Sequence, residues 1–152
     1  MKLKAPPSIK VLEALGAIAD DRVRLASSHE ATVTSSDSSR KYEVKWDPSS
    51  NEVSSTDSGT TFRGYVGYPI ISLLMLQGVL PYEPGLASKL SGVNWKRLND
   101  MYKNHDIVIE NVLRKWRVPD RERLNRFVKW TLDMLSEIDL EKTEPKKTLQ
   151  DF

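Results

Sequence analysis

Lys41-Tyr42-Glu43-Val44-Lys45-Trp46 alternates charged and apolar side chains without a break. Successive side chains of a strand point to opposite faces, so this run is a strand with Tyr42, Val44 and Trp46 on one side and three charges on the other. A strand with one polar face belongs to a sheet covered on one side only. The same period extends backwards through Arg22-Val23-Arg24-Leu25 and through Ala31 and Val33, which alternate with Thr32 and Thr34. Forwards, Asp47-Pro48-Ser49-Ser50-Asn51 is turn chemistry, followed by extended pieces at Glu52–Ser55 and around Thr60–Tyr65. Residues 26–61 hold 11 Ser and 5 Thr. Their alternation favours strands joined by Ser/Asp/Gly turns over a low-complexity segment.

Outside this block the period is helical. Ser8 is the expected N-cap of an amphipathic helix over residues 9–19, in which Ile9, Leu12, Leu15 and Ile18 share a face. Pro69 suits a first turn, Ile70–Leu76 is apolar nearly all round, and Gly78 closes it, which predicts a buried central helix. A short helix is expected over Leu86–Leu90. Trp95, Leu98, Met101 and Tyr102, then Ile109, Val112, Leu113 and Trp116, form one long stripe that is compatible with a break near Asn104-His105. Pro119 separates a last helix with Leu124, Phe127, Val128, Thr131, Leu135 and Ile138 in line. The reading is α+β: a small antiparallel sheet over about residues 22–65, packed with an N-terminal helix, a buried central helix and a C-terminal helical layer. Residues 1–140 form a single domain and residues 141–152 a frayed tail. Val44, Trp46, Ile71, Leu74, Leu113 and Leu135 are expected in the core.

Composition excludes several chemistries. With no cysteine among 152 residues there is no disulfide, thiolate nucleophile or Cys-held zinc. His29 and His105 stand in no ligand spacing, so no metal and no cofactor are expected, and His105 is placed at a helix break or on the surface. No serine lies in a Gly-x-Ser-x-Gly elbow, and Gly64-Tyr65-Val66-Gly67 lacks the Lys-Ser/Thr of a phosphate loop. The carboxylates read as locally paired, Glu122 with Arg126 and Asp133 with Lys129, and none sits inside an apolar run. Met1–Pro7 has no apolar stretch of the signal-peptide kind, and Ile70–Leu76 falls far short of the roughly 20 residues of a membrane span. A cytoplasmic protein without a membrane partner is therefore expected.

The net charge of +2 is unevenly spread: residues 95–131 carry 10 basic and 5 acidic side chains, whereas residues 26–61 and 132–152 are each net −3. Within the basic region cations interleave with aromatics. Lys96 and Arg97 follow Trp95; Arg114, Lys115 and Arg117 flank Trp116; and Arg121, Arg123, Arg126 and Lys129 precede Trp130. Nucleic-acid surfaces need cations for phosphates and flat rings for bases. The competing interpretation makes the tryptophans core anchors and the cations a solvated face, and Trp95 and Trp116 do fall on apolar stripes. The leading expectation is a non-catalytic binding module with DNA or RNA as first partner at these nine cations. The second is a protein-interaction or assembly subunit, and the third an enzyme of unrecognised type.

Tyr42-Glu43-Val44, the hairpin around Val53-Ser54-Ser55, and Gly67-Tyr68-Pro69 leading into Ile70-Ile71-Ser72-Leu73-Leu74 resemble, in layout, a SWIM-type zinc finger. That family has a Tyr-x-Val strand, a hairpin with a Cys-x-Cys pair, and a Cys-x-His entering an apolar helix. None of the four ligand positions holds a ligand residue here, so the zinc site is not carried over. The resemblance, confined to residues 42–76, implies a ββα shape and a leaning toward nucleic-acid or protein binding. Apolar contacts from Tyr65, Tyr68 and the Ile70–Leu76 helix would stand in for the metal.

Overall fold

The computed structural model describes residues 1–145. Strands β1 (Val23–Ser27), β2 (Glu30–Thr34), β3 (Lys41–Asp47) and β4 (Glu52–Ser55) form an antiparallel meander, and β5 (Glu141–Lys142) adds to β4 in parallel. Register places Ala31 opposite Val44, and Trp46 opposite Val53, so the apolar partners share the inner face. Helix α2 (Tyr68–Leu76) lies across that face and meets β1 to β4, which is why Pro69–Met75 are all buried. The mixed α+β class follows directly from this layering.

Helix α1 (Ile9–Ala19) packs on α2 and on the short α3 (Pro84–Lys89). Ile9 and every residue from Val11 to Ala17 are buried, so α1 is a second central helix rather than an amphipathic surface one. Ser8 is its N-cap by position but makes no side-chain capping bond. Helices α4 (Trp95–Tyr102) and α5 (His105–Leu113) are separated at Lys103, which takes a left-handed φ of 52°, and Asn104 caps α5 by accepting from the Ile107 N–H at 3.1 Å. His105 opens α5 and is exposed. Helix α6 (Val118–Ser136) meets the core at α1. Val44, Trp46, Ile71, Leu74, Leu113 and Leu135 are all buried, as expected.

Two expectations are corrected. Residues 60–65 are not extended: Gly59–Arg63 is a single turn of π-helix, closed by Gly64 at φ 71°. Nor does the chain fray at residue 141. The Glu141 N–H donates to Asn51 and the Thr143 N–H to Val53, while Lys142 and Leu140 bond to Met1 and Leu3. The N-terminal segment thus runs between β5 and the turn after the π-helix, where the Lys4 N–H donates to Gly64 and the Val66 N–H to Lys4. The rest of the expected tail, residues 146–152, lies outside the described residues.

Candidate functional site

The nine cations of the basic region do not share one surface. Lys96 and Arg97 sit on α4, but Lys96 faces a large polar cleft and Arg97 borders a separate apolar depression of about 380 Å³ with Leu98, Met101 and Val112. Arg121 is committed to structure: its Nε donates to the Leu113 carbonyl at 2.9 Å and its Nη2 to Glu110 at 2.9 Å, tying the end of α5 to α6. Arg123 pairs with Glu83 at 2.6 Å and Lys129 with Asp133 at 3.0 Å. Arg126 does not pair with Glu122, and among the described residues Arg114, Lys115, Arg117 and Arg126 enter no ion pair. The rings divide as well. Trp95 is buried, Trp116 is half-buried beneath the Lys89 ammonium, and only Trp130, 56% exposed, offers a face to solvent.

The cleft that Lys96 lines has a volume of about 790 Å³. It opens between the start of α1, the β2–β3 turn, the π-turn and α4. Its floor holds charge taken out of water. Glu13, 4% exposed on α1, accepts from Asn99 Nδ2 at 2.8 Å and pairs with Lys10 Nζ at 2.8 Å. Burial, the largest single effect, pulls the Lys10 amine down, but the Glu13 charge and hydrogen bond, with Tyr65 and Asp57 adding to them, together hold the amine above its ordinary value. Arg22 donates through Nη1 to the Thr34 carbonyl at 2.8 Å. Its Nε lies 3.8 Å from Asp20, whose carboxylate already accepts from Ser91 Oγ and the Gly92 N–H. Arg22 Nε and Nη2 and Asn99 Oδ1 are buried without hydrogen-bond partners. These atoms belong to residues that line the cavity. Tyr68 completes the floor, its phenol pushed well up by burial, with the Tyr42 ring edge-on at 6.2 Å.

One wall is built by Asp57. Its carboxylate accepts from Ser55 Oγ, from the Thr60 N–H at 3.0 Å and from Thr60 Oγ1 at 2.9 Å. Thr60 Oγ1 in turn accepts from the Gly67 N–H at 3.2 Å. Gly67 is required here because a Cβ would fall on the Asp57 carboxylate. This knot winds residues 59–63 into the π-turn and thrusts Phe62, 87% exposed, and Arg63 to the rim. The opposite wall joins the β2–β3 turn to α4: the Lys96 N–H donates to Ser36 Oγ at 2.8 Å, and Ser36 Oγ donates to Asn94 Oδ1 at 3.3 Å. In that turn the Ser39 hydroxyl and N–H and the Ser35 hydroxyl hold the Asp37 carboxyl down at about 2.

Lys10, Arg22, Arg40, Arg63, Lys96 and Lys103 therefore meet Glu13, Asp57 and Asp100 around one cavity. Glu13 is paired with Lys10 and Asp100 with Lys96 at 3.1 Å, Asp57 accepts from hydroxyl and amide donors, and six cations stand against these three carboxylates. The remaining balance is cationic and favours an anionic ligand. Of the nine sequence-predicted residues only Lys96 belongs to this site. Among the described residues no three His, Asp or Glu side chains gather as a metal set, and no helix is long and apolar enough to cross a membrane.

Fold and cleft together define a class: an antiparallel meander covered by one buried helix, with a cation-lined cavity at the edge of the helical layer. Residues 3–141 match the model of a family described as "Uncharacterised conserved protein UCP014422", and the chain belongs to that family. No curated protein and no solved structure matches it.

Proposed function

We propose that the chain is a non-catalytic nucleic-acid-binding module and that the cleft, rather than the exposed face of α5 and α6, is where nucleic acid binds. The observation that carries this reading is the convergence of six cations on one cavity that holds three carboxylates, with Arg40, Arg63 and Lys103 outside any ion pair among the described residues and Lys96 paired only with the exposed Asp100. Phosphate contacts supply most of the affinity in such complexes, through released counterions. The ββα order of residues 42–76, the basis of the likeness to SWIM-type fingers, leans the same way, and a cytoplasmic location goes with it. The test is fluorescence anisotropy with labelled DNA and RNA oligonucleotides over a salt series. Wild-type protein is expected to bind at low salt and to weaken steeply as salt rises. Arg40→Gln with Lys96→Gln is expected to weaken binding and flatten the salt slope at unchanged melting temperature. Equal loss in the Arg114→Gln, Lys115→Gln, Arg117→Gln variant, with none in the cleft variant, would return the site to the α5–α6 face. Absence of binding to any oligonucleotide at micromolar protein would overturn the reading.

A second reading, a protein-assembly subunit, draws on the apolar depression beside α4, where Met101 is 55% exposed next to Leu98 and Val112. Under that reading, substitutions at Met101 change self-association or partner capture, and cleft substitutions do not.

A further inference from the structure

The rim of the cleft carries a side chain that the fold does not use. Phe62 stands at the tip of the π-turn and is 87% exposed, the most exposed of the large apolar side chains among the described residues. Its neighbours in the turn are held in place: Thr60 bonds to Asp57, Thr61 Oγ1 donates to the Asp57 carbonyl, and the Tyr65 N–H donates to Gly59. The segment is rigid at its base and presents an unburied ring at its tip. Arg63 follows in sequence, and Arg40, Lys96 and Lys103 line the same cavity. An aromatic ring beside a track of cations is the arrangement that stacks a base and holds its flanking phosphates. The cavity of about 790 Å³ suits one or a few nucleotides, while a duplex, whose bases face inward, can offer it only backbone.

Resting on the reading above, we infer that the cleft takes an unpaired strand, with a base stacked on Phe62 and the adjoining phosphates on Arg63, Arg40 and Lys96. The ligand is thus single-stranded DNA or RNA, or an unpaired end, and sequence preference is weak because every base has a stacking face.

The experiment compares wild-type and Phe62→Ala protein by anisotropy, using a labelled ten-nucleotide single strand and the same strand annealed to its complement. Wild-type protein is expected to prefer the single strand. Because stacking is worth roughly 1–3 kcal/mol per base, Phe62→Ala is expected to weaken the single strand by on the order of five- to a hundredfold and the duplex hardly at all. Phe62→Trp is expected to restore the affinity. The melting temperature should be the same in all three proteins, since Phe62 buries nothing. Equal affinity for single strand and duplex, or an unchanged Phe62→Ala affinity, would overturn the inference while leaving the cleft as a nucleic-acid site. Failure of either form to bind at low salt would overturn both.

Discussion

Replacing Asp57 by Ala tests whether the wall of the cleft is organised by one buried carboxylate. Asp57 is 5% exposed and accepts three hydrogen bonds, from Ser55 Oγ, the Thr60 N–H and Thr60 Oγ1. Bonds to a charged acceptor are worth about 1.5–3 kcal/mol each. They do not add fully here, because the two hydroxyls can rotate toward other acceptors, and removal of the carboxylate also relieves its own desolvation. The Thr60 N–H has no such freedom. The expected loss is about 2–4 kcal/mol, below the ~3–5 kcal/mol that follows removal of one partner from a buried ion pair. At about 2–4 °C per kcal/mol for a chain of this size, the melting temperature should fall by roughly 5–15 °C. Urea unfolding measures the free energy directly. Asp57→Asn retains an acceptor for the Thr60 N–H and should lose about half as much. A change below ~0.5 kcal/mol in Asp57→Ala, the value typical of surface positions, would refute the account of the π-turn.

Leu74→Ala removes a fully buried side chain from the helix that covers the sheet, and should cost about 2–5 kcal/mol in the same urea assay. Glu13→Gln removes the charge that offsets the burial of Lys10, so the Lys10 amine should titrate below its ordinary 10.5 when followed by NMR; an amine still above that value would contradict the pairing. In the wild-type protein the Lys10 value is raised on folding. Its contribution to stability is therefore complete below about pH 10 and is lost as pH rises through the folded value. Thermal unfolding above pH 10 should show a decline that Glu13→Gln lacks.

The sheet and the two strongest helices were legible because their patterns are local. Tyr42, Val44 and Trp46 repeat at period two, and Ile70–Leu76 is too apolar to lie anywhere but inside. The π-turn was not, because Thr60–Tyr65 has an extended-looking composition that the Asp57 side chain overrides by capturing the Thr60 amide. An acidic residue three positions before a threonine was the available signal. Glu13 was misjudged for a related reason. The expectation that no carboxylate sits inside an apolar run fails there: Leu12 and Ala14 flank Glu13, which stands four residues after Ile9 and so shares that buried face. Lys10, three positions earlier, was the sign that a charge there had a partner. The cleft gathers Arg22, Arg40, Arg63 and the pair Lys96 and Lys103 from four separate segments. No spacing rule links them, whereas the nine cations of residues 96–129 stood out by being close in sequence. Two-residue β5 has no period at all and exists only through distant pairing.

That pairing bears on the order in which the molecule assembles. Strands β1 to β4 join through short turns and can form as soon as they are made. The fifth strand brings Leu140 and Lys142 against Leu3 and Met1, contacts that span nearly the entire described chain. Closing so long a loop carries an entropy cost, and contacts of this sequence separation slow the search. The same strip borders the π-turn through Lys4 and Gly64. This seam of long-range contacts therefore lies beside the segment that carries Phe62. Local opening there would free the rim of the cleft at the cost of exposing Leu3 and Leu140, both buried in the core, so the rim is tied to the stability of the fold.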